Sequence, residues 1–288
     1  MTTRTEFDAI GTRWALTTPE PISPDTRAEI DAVVEAYDRT WSRFRTDSAV
    51  TAMAAGEGPL DLGATAPPLL DLLERLRVLT DGAMSPLVAA SLEHLGYGRG
   101  GTLTARQGYR PAVDAAVERR GTRVAVRPPA LLDVGGAGKG QLADLVSAVL
   151  AAAGFQDRLV DASGDVVTAG APVRVALEHP YDPTAAIGVV ELADAAIAGS
   201  AVNRRDWTDP SGGRRLHHVL DARTGRPVET IAATWAIAAD ALHADALATA
   251  LFLVPPAVLE AELELEWVVM RTDGTVAASR GLPGELFT

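Results

Sequence analysis

Apolar residues recur at helical spacing through Asp25–Phe44, where Ile30, Val33, Val34, Tyr37 and Trp41 fall on one side. The same period predicts a helix over Pro68–Leu79, ended by Thr80-Asp81-Gly82, and a short one over Pro86–Leu95. A fourth helix runs over Gln141–Ala153, closed by Gly154, and a fifth over Leu242–Leu253, stopped by Pro255-Pro256. Alternation and short apolar runs predict strands at Ile10–Thr17, Arg123–Arg127, Leu131–Val134, Arg158–Val167, Val173–Glu178, Gly188–Leu192, Leu216–Leu220 and Thr234–Ala238. Trp267–Arg271 and Val276–Ser279 read as a closing hairpin around Asp273-Gly274. Gly96–Gly101 and Gly135–Gly140 are glycine-rich turns.

Strands and helices are interleaved without a strict βαβ rhythm, and no segment repeats. The fold class expected is α+β, a single compact mixed unit with room for two lobes. At 288 residues, 47% hydrophobic and 22% charged, the chain can bury its own core and is read as one domain over 1–288.

The net charge of −12 argues against nucleic acid as a partner. A phosphate ligand would need backbone amides, a lysine or a metal. With no cysteine, the sequence excludes disulfides, thiolate catalysis, zinc–thiolate sites and a lipid-modified N-terminal cysteine. The start of the chain has no apolar signal core, and no run reaches the ~20 apolar residues of a membrane span. Ala236–Leu253 comes nearest and is interrupted by Asp240, His243 and Asp245. A cytoplasmic location is therefore expected, with export as the alternative, and no membrane span.

Three stretches carry candidate chemistry. Asp133-Val-Gly-Gly-Ala-Gly-Lys139-Gly140 lies between a predicted strand and a helix, where amides and a lysine can face an anion. It is neither a P-loop nor a dinucleotide fingerprint, and a ligand-free turn explains it equally well. Asp245 and Thr249 are four apart, on one helix face, an oxygen pair suited to Mg²⁺. A solvated Asp and a Thr bonded back to its own helix are the alternative, although apolar Leu247, Ala248 and Leu251 make an unpaired Asp245 costly. In His217-His218-Val-Leu-Asp221-Ala-Arg223-Thr224-Gly225-Arg226-Pro227, His218 can act as a base near neutral pH, while strand alternation turns His217 the other way. A plain surface strand and turn is the alternative here. Trp41-Ser-Arg43-Phe44-Arg45-Thr-Asp-Ser48 is read as core aromatics with solvated arginines, and Gly164-Asp165 as a further turn.

In this order the motifs resemble the ApbE family of FAD:protein FMN transferases, from about Ile10 to Val254. Ile10-Gly-Thr-Arg-Trp14 resembles the family's opening Met-Gly-Thr strand, and Trp41–Ser48 its Phe-Ser-x-Tyr/Phe-x-x-x-Ser segment. Thr80-Asp-Gly-Ala-Met-Ser-Pro86 is similar to Thr-Asp-Gly-Ala-Phe-Asp-Pro, and Asp133–Gly140 to Asp-x-Gly-Gly-Ile-Ala-Lys-Gly. His218–Pro227 resembles His-Ile-Ile-Asp-Pro-Arg-Thr-Gly-x-Pro, and Ala244–Ala250 the family's metal-binding helix. The chain departs at Ile10 for Met, Ser85 for Asp, Gly138 for Ala, Ser163 for Gly and Ala222 for Pro.

The resemblance implies a T-fold-like architecture and Mg²⁺-dependent transfer of FMN from FAD to a Thr or Ser hydroxyl of an acceptor flavoprotein, with release of AMP. It places Ile10, Ala83, Met84, Ser85, Asp133, Gly136, Lys139 and Leu220 against FAD, and Mg²⁺ on Asp245, Thr249 and the Gly138 carbonyl. His218 and Asp133 become the catalytic groups. Hydrolysis of FAD to FMN and AMP, or FAD binding without turnover, are the rival activities.

Overall fold

The computed structural model describes residues 2–99, 103–209, 213 and 215–287. Gly100 and Gly101 of the predicted glycine-rich turn lie outside the described residues. The helices are Pro24–Trp41 (α1), Ala49–Ala54 (α2), Ala66–Leu79 (α3), Ala89–His94 (α4), Gly138–Ala152 (α5), Ala241–Ala250 (α6) and Pro256–Glu260 (α7). With the strands below they make a mixed α+β fold.

The chain divides into two compact units, the first made of Met1–Glu35, Ala137–Asn203 and Thr230–Thr288, the second of Ala36–Gly136 and Arg204–Glu229. The first unit is built on an eight-stranded antiparallel sheet of Thr3–Ala9, Thr12–Thr18, Arg158–Asp161, Asp165–Ala169, Ala196–Ala201, Ile231–Ala238, Glu266–Arg271 and Val276–Ala278, neighbours in chain order. One face packs on a three-stranded sheet of Val173–His179, Asp182–Leu192 and Gly284–Leu286, burying Leu177, Val190, Ile197, Trp235 and Val268 between them. Against the same large sheet pack α5 and α6. Ala241, Leu242, Ala244, Ala246, Leu247 and Ala248 are all buried, which explains why α6 is apolar around most of its circumference.

The second unit holds α2, α3, α4 and short antiparallel pairings. Leu60–Asp61 and Ala116–Arg120 flank Arg123–Arg127, Asp206–Thr208 pairs with Arg215–His217, and Leu220–Asp221 pairs with Arg226–Pro227. Its apolar cluster joins Leu92, Leu95, Ala105, Trp207, Leu216 and Leu220.

Several predicted elements change. The opening strand is the second arm of a hairpin whose first arm is Thr3–Ala9, and Ile10-Gly11 is the turn, with both φ values positive at 43° and 77°. Gly11 adopts that region freely, but a β-branched Ile10 there is strained. Arg158–Val167 is two strands folded back at Ser163. Leu131–Val134 is not a strand, because the main-chain bond from Asp133 N–H goes to the Pro86 carbonyl at 2.8 Å. The Leu216–Leu220 strand ends at His217, and His218 sits in a bend.

Candidate functional site

In the first unit the glycine-lysine turn meets the Asp245 helix. Helix α5 starts at Gly138, so Lys139 and Gly140 lie in its first turn, where backbone N–H groups have no partner within the helix. The Gly140 N–H donates to Asp245 Oδ2 at 2.9 Å. Gly140 permits this because a Cβ there would stand 2.0 Å from the Ala241 carbonyl oxygen and 2.8 Å from Asp245 Cβ. The two helices are also tied by Asp144, one turn along α5, whose carboxylate accepts the Ala241 and Leu242 N–H groups, both at 2.9 Å.

Asp165 joins this cluster, although its sequence signal was only a turn. It opens the strand Asp165–Ala169, is 1% exposed, and lies 2.5 Å from Lys139 Nζ. Burial and repulsion from Asp245 push the Asp165 carboxyl upward, with Lys139 opposing. Burial likewise raises the Asp245 carboxyl, against Lys139 and the α5 amides. Among the described residues, Asp165 Oδ1 meets no donor other than a proton shared with Asp245. Two buried carboxyls thus face a single ammonium, and burial favours keeping a proton on Asp165 rather than a second bare charge.

Thr249 stands one turn beyond Asp245 on α6 and is half-buried. Among the described residues no group of three or more His, Asp or Glu side chains can hold a metal. Asp165 and Asp245 bring carboxyl oxygens together, and Thr249 adds a hydroxyl one turn along the same helix. Such a set suits Mg²⁺, which keeps several waters and takes further oxygens from substrate phosphates. Ile10, also in this unit, occupies the strained hairpin turn and is half-buried.

In the second unit, backbone bonds draw the other motifs together. The Asp133 N–H donates to the Pro86 carbonyl, and the Ala222 N–H donates to the Ala83 carbonyl, each at 2.8 Å. The Thr80–Pro86 segment therefore touches both the Asp133 segment and the His218–Pro227 segment. Ala83, Met84 and Leu220 are buried, whereas Ser85 and Gly136 are half-buried. Ser85 Oγ accepts the Leu87 N–H at 3.2 Å, a local turn bond.

Asp133 is held on both oxygens. Oδ1 accepts the Gly135 N–H at 2.7 Å, and Oδ2 lies 2.6 Å from Arg43 Nε. Arg43, read from sequence as solvated, is 4% exposed, while Phe44, read as core, is 43% exposed. The two histidines have different surroundings, though not through strand alternation. His217 is buried between the Val228 carbonyl and the Val219 N–H, and burial lowers its pKa. His218, half-buried in its bend, faces the Tyr97 ring at 6.4 Å between centroids.

As a class, this is an α+β protein with a buried acid–lysine cluster at a helix N-terminus, chemistry suited to a cation and a phosphate. A sequence profile of the ApbE family matches residues 10–268, and the chain belongs to that family. It is 30% identical over 255 residues to the FAD:protein FMN transferase of Rhodobacter capsulatus, covering 81% of this chain and 47% of that protein. It thus spans about half the length of that relative. The FAD:protein FMN transferase of Klebsiella pneumoniae is 26% identical over 273 residues, covering 86% of this chain and 77% of that one. The ApbE protein of Thermotoga maritima superposes with a TM-score of 0.84 at 23% identity over 97% of both chains, a likeness of fold.

Proposed function

We propose that this chain transfers FMN from FAD to a Thr or Ser hydroxyl of an acceptor flavoprotein, releasing AMP, and that it does so with Mg²⁺. Residues 1–288 are read as one flavin transferase domain. The observation that carries this is the cluster of Lys139, Asp165, Asp245 and the Gly140 amide, in which two buried carboxyls face one ammonium. The relatives' names supply the substrate class.

Asp245, Thr249 and the Gly138 carbonyl would hold Mg²⁺. When bound, the metal supplies charge neutralisation to the pyrophosphate. Lys139 binds a phosphate oxygen as a point charge. Ile10, Ala83, Met84, Ser85, Gly136 and Leu220 supply the remaining FAD contacts, and Asp133 both touches the ligand and acts with His218 as a catalytic group. The acceptor hydroxyl oxygen forms a bond to the FMN phosphorus as the P–O bond to the AMP half breaks. His218 takes the hydroxyl proton, and AMP leaves with the bonding electron pair.

The test is incubation with FAD, Mg²⁺ and a flavin-acceptor domain, followed by mass analysis of the acceptor. A mass gain of one FMN on a Thr or Ser is expected. Free FMN and AMP with an unmodified acceptor would replace transfer by hydrolysis, and intact FAD would reduce the protein to a binder.

A further inference from the structure

Arg43 follows α1 and belongs wholly to the second unit, as do all its partners below. Its Nε pairs with Asp133 Oδ2 at 2.6 Å, and its Nη2 donates to the Tyr97 carbonyl at 2.9 Å. The guanidinium lies over the Phe44 ring at 4.2 Å and the Tyr97 ring at 5.1 Å. Tyr97 in turn stacks on Trp207, with centroids 5.7 Å apart and planes 19° from parallel, and its ring also faces Phe44 and His218. Trp207 is itself fixed by an Nε1–H bond to the Leu95 carbonyl at 3.0 Å. Both groups assigned to catalysis, Asp133 and His218, are thus reached from one guanidinium.

This arrangement is not the one that maximises stability. Burying a guanidinium is costly, and the cost is recovered only when every donor is satisfied. Arg43 Nη1 is buried and meets no hydrogen-bond acceptor among the described residues. An apolar side chain of similar length would fill the space without stranding a donor. What it could not do is hold a carboxylate oxygen in a fixed direction, which a planar guanidinium does well.

We propose that Arg43 is a positioning residue for the transfer reaction, acting through Asp133 and, by way of Tyr97, on the His218 ring. The inference rests on the transferase reading of the site. Removing Arg43 frees the Asp133 side chain to rotate and releases the stacked tyrosine, and misplacement of this kind costs about 10–10²-fold in rate.

The experiment is a double-mutant cycle of Arg43→Gln, Asp133→Asn and the double variant, with kcat and KM for FAD measured on a flavin-acceptor domain and a thermal midpoint for each protein. Because part of the Arg43 effect runs through Asp133, the double variant loses less than the product of the two single losses, and the Arg43→Gln loss falls mainly on kcat. Losses that multiply, or wild-type kcat in Arg43→Gln, overturn the proposal. Arg43→Lys serves if the Gln variant does not fold: it keeps the charge but not the fork, so its rate stays low at a near-wild-type midpoint, and full activity overturns the proposal. Should the wild type transfer no FMN, the same cycle read as FAD affinity by flavin fluorescence still decides the coupling. Non-additive affinities then support the Arg43–Asp133 linkage while the transferase reading falls, and additive affinities sink both.

Discussion

The backbone N–H of Gly140 reaches the Asp245 carboxylate at 2.9 Å because position 140 carries no side chain. A methyl group there would overlap the Ala241 carbonyl, so Gly140→Ala must push α5 and α6 apart. We expect a stability loss of roughly 3 kcal/mol, at the upper end for overpacking. Urea unfolding measures it. A loss well under 1 kcal/mol would mean that the close approach is not needed.

Asp245→Ala is expected to abolish the response to Mg²⁺. Adding Mg²⁺ should raise the thermal midpoint of the wild type, because a ligand that binds only the folded state stabilises it by mass action. The variant should show no such rise and no FMN transfer at low Mg²⁺. An unchanged Mg²⁺ shift in Asp245→Ala would remove this residue from the metal set.

Lys139 has two jobs, so Lys139→Ala should show two effects. Breaking its pair with Asp165 leaves a carboxylate that is 1% exposed without its cation, a loss of roughly 3–5 kcal/mol. Pairing the change with Asp165→Leu should recover much of that. In whatever protein folds, KM for FAD rises more than kcat falls, because the charge serves ground and transition states alike. A large kcat loss at unchanged KM would make Lys139 a catalytic group instead.

His218→Ala should cut transfer by roughly 10²–10⁴ while FAD still binds. His217→Ala should leave kcat near wild type but lower stability by about 1–3 kcal/mol, since it strands the Val228 carbonyl and the Val219 N–H. Transfer assays beside thermal midpoints separate the two. If His217→Ala is the variant that loses rate, the assignment of the base is reversed.

The Asp144 carboxyl is pushed up to about 6, chiefly by burial, while the Ala241 and Leu242 amides oppose the rise. A folded-state value above that of the unfolded chain means that the folded protein holds the proton more firmly. The associated stabilisation is present below the ordinary aspartate value of about 4 and is lost as pH rises through about 6. The stability of the wild type minus that of Asp144→Asn should therefore fall between pH 4 and pH 7, by on the order of 2–3 kcal/mol. Urea titrations across that range give the difference curve. A flat or rising curve would contradict the raised value.

What was legible in the sequence had local causes. Lys139 and Gly140 stand in a glycine-rich turn before a periodic helix, and Asp245 stood out because its helix neighbours are apolar. The closing hairpin at Asp273-Gly274 was legible for the same reason. Asp165 was not, since its burial comes from pairing with Ala198 and from α6, both remote in sequence. Arg43 beside two aromatic residues looks like any surface arginine until Asp133 is placed against it. The strand Thr3–Ala9 was missed because it lies at the sheet edge with Arg4, Glu6 and Asp8 exposed, leaving a weak apolar signal.

The large sheet is sequential in strand order yet interrupted in chain order. Thr12–Thr18 pairs with Arg158–Asp161 across the whole of the 36–136 segment, and Ala196–Ala201 pairs with Ile231–Ala238 across 204–229. Each closure costs loop entropy before any contact repays it, which slows folding. During synthesis the first hairpin must wait for a partner strand that has not yet been made. Helix α6, which carries Asp245, emerges later still, so the charged cluster is among the last parts to assemble. Until then the apolar sheet face that α6 covers stays open to other chains, and the nascent protein is most prone to aggregate just before its site exists.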